Sequence, residues 1–325
     1  MCQGLSSLTA YPFRAPLPTP LENEYIDVLF GGEPTVGTDR PSIIEFFTAS
    51  ARLYDRFEDI VAIQDELRLF DNCAAQKKLE NFDPQALLNL DRLLCNWKAA
   101  LPPFLQPGVE HHVLASPIAL RQHNVIRIRY LHMRLLLWRP FLAIIAASPD
   151  PSLSPSDGIE QQNHHQQHQR HCIDTPLTFT IAHDSAIKCI LSAREIIDIL
   201  VKYQRSDGKS GHIGPVPSWW ENVGYVYACG TVFLAARMCP VSLRHEIPGT
   251  HLIKEGWELS MRLLEGYRTF STTASKCLKA LNSLAEVITG SEDENTKENG
   301  VAILPALGNK RDMTWLESLP VDLGD

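Results

Sequence analysis

The side chains that could carry chemistry are few and scattered. His164, His168 and His171 stand at i, i+4 and i+7, a spacing that on a helix would turn three imidazoles to one side and offer nitrogen ligands to a metal. No carboxylate or thiolate shell is arranged around them, so the tract is read as linker histidines and no metal ligand is assigned. The 8 cysteines (Cys2, Cys73, Cys95, Cys172, Cys189, Cys229, Cys239 and Cys277) contain no C-x-x-C pair. That spacing fits neither a zinc site nor a disulfide framework. Cys189, Cys229 and Cys277 fall where helical periodicity asks for an apolar group, as reduced structural thiols do. His245-Glu246 lacks the second histidine of a metalloprotease helix, and Gly208-Lys209-Ser210 lacks both the preceding strand and the glycine, at Tyr203, of a phosphate loop. Nucleophile elbow and dinucleotide fingerprint are likewise missing. The residues therefore suggest no catalytic group, no cofactor site and no enzyme.

What the sequence does specify is a set of helices, with one at the centre. Residues 119–147 form the longest stretch in which apolar residues keep a helical period. Ile128, Leu131, Leu135, Trp138 and Leu142 make one stripe, and Met133, Leu136 and Leu137 make the second half apolar on other sides too, as in a helix enclosed by neighbours. Arg127, Tyr130 and Arg134 share another face. Arg139 meets Pro140, whose ring removes a backbone donor and crowds the preceding turn, so a kink or stop is expected there. A membrane span is rejected because His132, Arg134, Arg139 and Pro140 interrupt the stretch.

The other elements read in order. Residues 1–40 are rich in Pro, Gly, Thr and Ser and extended in character. Ser42 with Glu45 caps a helix carrying Ile43, Phe46, Phe47, Leu53, Tyr54, Phe57 and Ile60. Asp83 and Pro84 start a second, with Leu87, Leu90, Leu94 and Trp97 on a stripe that Leu101-Pro102-Pro103 ends. Residues 148–176 are too polar to bury anything and are expected to be a disordered insertion. Residues 184–203 are amphipathic, with Ile187, Ile190, Leu191, Ile197 and Val201 inward and Asp198 and Lys202 as an i,i+4 pair. Trp219-Trp220 opens a run of small residues that Pro240 closes, and residues 252–265 and 274–288 should pair as a helical hairpin. The expected fold class is all-α: a helical domain over residues 41–289, a linker at 290–311 and a tail at 312–325.

Composition narrows the function. A net charge of -8 and a pI near 5.8 give no attraction to phosphate backbones. The first residues lack the basic and apolar regions of a secretory leader, which suggests an intracellular chain. The tail DMTWLESLPVDLGD alternates Trp315, Leu316, Leu319 and Leu323 with acidic residues. That pattern suits an activation segment, in which charge keeps apolar side chains in water until a coactivator groove takes them. The opposing reading is an acidic tail that is inert or docks Trp315 on the body.

Taken together, the chain resembles the regulatory domain, or middle homology region, of fungal binuclear zinc cluster transcription factors. PLPTPLENEYID resembles the family's proline-rich lead-in with its acidic-aromatic end, and RPSIIEFFTASARLYDRFEDIV the helix that follows. LDRLLCNWKAALPPFL is similar to its leucine-tryptophan helix with a Leu-Pro stop. In LRQHNVIRIRYLHMRLLLWRPFL, His132, Arg134, Arg139 and Pro140 stand where that family's helix has them. CILSAREIIDIL and GWELSMRLLEGYRTFSTTASKCLKALNSL resemble its second half, so the likeness runs from about residue 16 to 288. The resemblance implies a nuclear transcription regulator whose partners are coactivators or regulatory proteins. It leaves open a small effector and a homodimer.

The family's six-cysteine zinc cluster has no counterpart in these residues, so zinc and DNA contact are implied only for a missing N-terminal domain. The chain is accordingly expected to be a fragment of a longer gene product, or a short protein keeping the regulatory and tail segments, or a truncated form that titrates an intact relative's partners. An uncovered hydrophobic face on residues 43–60 or on the central helix is a further expectation. The alternative function is a helical enzyme or a small-molecule or lipid-binding protein with a cavity bounded by Trp138, Trp219 and Trp220.

Overall fold

In the computed structural model, residues 17, 42–67, 82–107, 116–147, 177–203, 214–249, 251–289 and 316 are described. Among them every regular element is helical: α1 (Ile43–Tyr54), α2 (Phe57–Leu67), α3 (Pro84–Ala99), α4 (Pro117–Ala147), α5 (Leu177–Tyr203), α6 (Trp219–Met238), α7 (Val241–Glu246), α8 (Leu252–Arg268) and α9 (Thr272–Thr289), with a 3-10 turn at Pro103–Leu105. The histidine tract, the insertion at 148–176 and three of the four tail residues, Trp315, Leu319 and Leu323, lie outside the described residues.

Helix α4 is the axis of the packing. It lies against α5 along most of its length and also meets α1, α2, α3, α6 and the 3-10 turn. The whole stripe from Ile128 to Leu142 is buried, and every residue from Leu135 to Ala147 is enclosed. Its length and hydropathy would allow a membrane span, but 89% of the apolar window is buried inside the body. The apolar surface is thus already covered by protein, which is what drives these helices together. Around it, α6 packs between α5 and α8, and α8 and α9 pair as the expected hairpin.

Local chemistry sets the boundaries. Ser42 Oγ accepts from the Glu45 amide at 3.1 Å, Asp83 Oδ1 accepts from the Gln85 amide at 2.9 Å, and Ser271 Oγ accepts from the Ala274 amide at 3.1 Å. Each satisfies a donor that the first helical turn leaves open. At α6 the Ser218 amide donates to Glu221 Oε2 at 3.2 Å.

Of the kink or stop expected at Pro140, the stop is corrected: α4 continues through it to Ala147. A proline inside a helix leaves the carbonyl four residues earlier without its donor. Here that carbonyl belongs to Leu136, and Gln64 Nε2 of α2 donates to it at 2.8 Å. The neighbouring Leu135 carbonyl accepts from Cys189 Sγ of α5 at 3.6 Å. Side chains from two flanking helices therefore take up backbone acceptors around the proline.

Three further expectations change. The helix over 42–60 is two helices, broken at Asp55-Arg56, and the second one turns Ile60, Ile63 and Leu67 into the core. Asp198 accepts from Arg194 Nε at 2.9 Å, a partner that was not expected, and the Lys202 ammonium lies 5.2 Å from the Tyr203 ring centroid. Val201 is on the surface, not inward.

Candidate functional site

The polar side chains of α4 radiate to different neighbours. Arg127 holds Glu195 of α5 through Nε and a terminal nitrogen, at 2.8 and 2.6 Å. Arg129 donates to Ser50 Oγ of α1 at 3.1 Å and to Glu221 of α6 at 3.3 Å, with its guanidinium over the rings of Phe46 and Tyr54. Arg134 reaches Asp91 of α3 at 3.4 Å and lies over Tyr130 and Trp138, 5.7 and 5.9 Å from their centroids. Nearer the start of α4, Arg121 donates to the carbonyls of Gly214 and Val216, and Asn124 to that of Pro215 at 2.8 Å. These bonds tie the segment before α6 onto the axis. Partly buried, charge-assisted bonds of this kind hold more firmly than exposed ion pairs.

Arg139, His132 and Pro140 form the inner part of this arrangement. Arg139 is buried, and its charge acts on both His132 and Cys189. His132 meets the Tyr225 ring edge-on at 4.9 Å. Burial, with Arg139 adding to it, pushes the imidazole down to about 4. A histidine held neutral in this way does not switch charge between pH 5 and 8. His132 thus packs against α6, Arg139 and Pro140 are buried further along the same helix, and Arg134 turns to Asp91 of α3.

The cysteines tell the same story. Cys189, Cys229, Cys239 and Cys277 are buried, and burial raises all four thiols, Cys239 and Cys277 to about 12. A protonated, enclosed thiol is a poor nucleophile and a poor ligand. Among the described residues no three His, Cys, Asp or Glu side chains come together as a metal site. Trp138 is fully enclosed, whereas Trp219 and Trp220 are 42% and 62% exposed, so these three do not close around a common cavity.

Two features escaped sequence reasoning. Leu316, placed in the tail as part of an activation segment, is completely buried and belongs to the main hydrophobic core. The alternation of acidic and apolar residues in the tail could not have revealed this. The second is the role of Arg129, whose partners lie 79 and 92 residues away; a cation amid apolar helical positions is its only trace in the sequence. The surface also carries apolar groups: Ile43, Phe47 and Tyr54 expose one side of α1, in the region where an uncovered face was expected. Trp219, Trp220, Phe270 and Tyr267 form a chain of edge-on rings at 5.6 to 5.9 Å.

The described residues thus form an all-helical body. No family model matches the sequence, and no solved structure matches it. Among curated proteins, it is similar to the sorbicillinoid biosynthetic cluster transcription factor 2 of Penicillium rubens, 28% identical over 209 residues, or 63% of this chain and 26% of that protein. It is also similar to the sorbicillinoid biosynthetic cluster transcription factor sor3 of Hypocrea jecorina, 22% identical over 227 residues, or 67% of this chain and 29% of that protein. The chain thus spans about a quarter of the length of the curated relatives it matches, and its similarity is to fungal transcription factors.

Proposed function

We propose that this chain is the regulatory part of a fungal transcription regulator of the zinc cluster type, acting in the nucleus through protein partners or a small effector and not through chemistry of its own. The observation that carries the reading is the similarity over 209 residues to a transcription factor. It is supported by a second similarity, over 227 residues, to another transcription factor. In this reading, Arg134, Arg139, His132 and Pro140 hold the regulatory body together, and DNA and zinc belong to a different segment. Coactivator contact falls to the tail around Trp315, Leu319 and Leu323.

The test is to join residues 1–325 to an unrelated DNA-binding domain upstream of a reporter gene. Transcription should change severalfold in either direction, and Trp315→Ala with Leu319→Ala and Leu323→Ala should abolish an activating response. A flat reporter with a stably expressed fusion would overturn the regulatory reading. An activating response that survives the triple substitution would overturn only the role of the tail.

A further inference from the structure

A groove of about 710 Å³ opens between α1 and α3, within the range of about 300–1,000 Å³ that small-molecule sites occupy. Ala49, Leu93, Trp97, Leu101, Pro102 and Leu17 make its walls apolar. The two helices are fixed at this point: Trp97 Nε1 donates to the Ala49 carbonyl at 3.0 Å, locking α3 to α1, and the indole stacks on Tyr130 of α4 at 5.7 Å and 17°.

Most of the polar groups in the groove come from α1. Glu45, Thr48 and Arg52 stand at i, i+3 and i+7 and line the same wall, the spacing that sets side chains in a row along a helix face. Beyond them Arg56 is taken up by Asp59 at 3.7 Å, and Asp55 is likewise engaged. The Glu45 carboxylate and the Arg52 guanidinium, in contrast, have no ion pair with a described residue. Between these two charges Thr48 is 8% exposed, and its buried hydroxyl has no hydrogen-bond partner. Leaving such a group unpaired costs free energy that a bound polar partner restores. Asn96 of α3 brings an amide to the facing wall.

The row therefore offers a negative charge at one end, a positive charge at the other and hydrogen-bonding groups between, over an apolar floor. From Glu45 to Arg52 the helix rises about 10.5 Å. Extended chain advances about 3.3–3.6 Å per residue, so three residues cover that distance. We propose that the α1–α3 groove binds a free apolar tripeptide, with its terminal ammonium at Glu45, its terminal carboxylate at Arg52, its peptide groups at Thr48 and Asn96, and its side chains on Leu93, Trp97 and Leu101. As the identity of the small effector this rests on the regulatory reading, whereas the binding itself does not, and the test reads binding alone.

The test is calorimetric titration of the tripeptide Leu-Ala-Leu into the full chain, repeated with the N-acetylated and the C-amidated peptide and in Glu45→Gln and Arg52→Gln chains of equal helix content by circular dichroism. The free peptide should bind at one site per chain. Acetylation and amidation should each weaken binding by about threefold or more, as expected for a partly exposed ion pair. The loss on acetylation should vanish in Glu45→Gln, and the loss on amidation should vanish in Arg52→Gln. Absent binding, capped peptides that bind as tightly as the free one, or a loss that persists in the matching variant would each overturn the proposal.

Discussion

Pro140 illustrates how a residue that should end a helix can be kept inside one. Its ring deprives the Leu136 carbonyl of a donor, and an unsatisfied buried carbonyl costs about 1–3 kcal/mol. The Gln64 amide removes that cost from α2. The two residues should therefore be coupled. Gln64→Ala in the wild-type background is expected to lose roughly 1–2 kcal/mol. In a Pro140→Ala background, where an ordinary backbone amide supplies the donor, the same change should lose much less. Urea unfolding of the four proteins of this cycle measures the difference, and additive effects would mean that Gln64 does not serve the proline-freed carbonyl. The sequence announces the proline and its local consequence, but the rescuing amide lies 72 residues from its acceptor. Local rules predict the defect and cannot predict the repair. The same holds for Arg134, legible as a cation on a helical face, whose partner Asp91 comes from a different helix.

At the scale of elements, the apolar stripes of α3, α4 and α9 were readable because period and burial agree there, as Leu87, Leu90 and Leu94 or Leu278, Leu281 and Leu284 demonstrate. Close helix crossings were not readable, because they depend on which small residue faces which large one. The contacts of α6 with α8 and with α9 are such cases. A Cβ built at Gly256 would lie 2.6 Å from Phe233 Cε1, and one at Gly230 would lie 2.8 Å from Leu281 Cδ1. Phe233 is fully buried, so its ring has little room to retreat. Glycine in a helix interior costs about 1 kcal/mol relative to alanine, and filling this space should cost more than that gain. Gly256→Ala is thus expected to destabilise the protein by roughly 1–2 kcal/mol in urea unfolding. Trimming the ring with Phe233→Leu should relieve part of the added cost, so that the double variant is more stable than the sum of the single losses. A Gly256→Ala protein at least as stable as wild type would show that the ring moves aside freely and that the glycine does not set the crossing.

For the molecule as a whole, the question is whether the C-terminal segment stands apart from the helical body or belongs to it. Its alternation of acidic and apolar residues suits a segment that waits in water for a partner, and composition alone cannot weigh that against docking. Leu316 weighs it: the side chain is 0% exposed and shares the hydrophobic cluster that runs through α1 to α9. A leucine buried to that extent contributes to stability whatever the residues around it do for function. Leu316→Ala should cost about 2–4 kcal/mol, through lost burial and the cavity left behind. In a chain of this size that corresponds to a melting temperature lower by roughly 3–6 °C. Leu316→Asp should cost more, because a carboxylate would be buried without a partner. Thermal unfolding of the full chain decides the point. A melting temperature unchanged by Leu316→Ala would release the tail from the core and leave all four of its apolar residues available to a coactivator. The expected loss would instead divide the tail, with Leu316 fixed to the body and the coactivator reading confined to Trp315, Leu319 and Leu323.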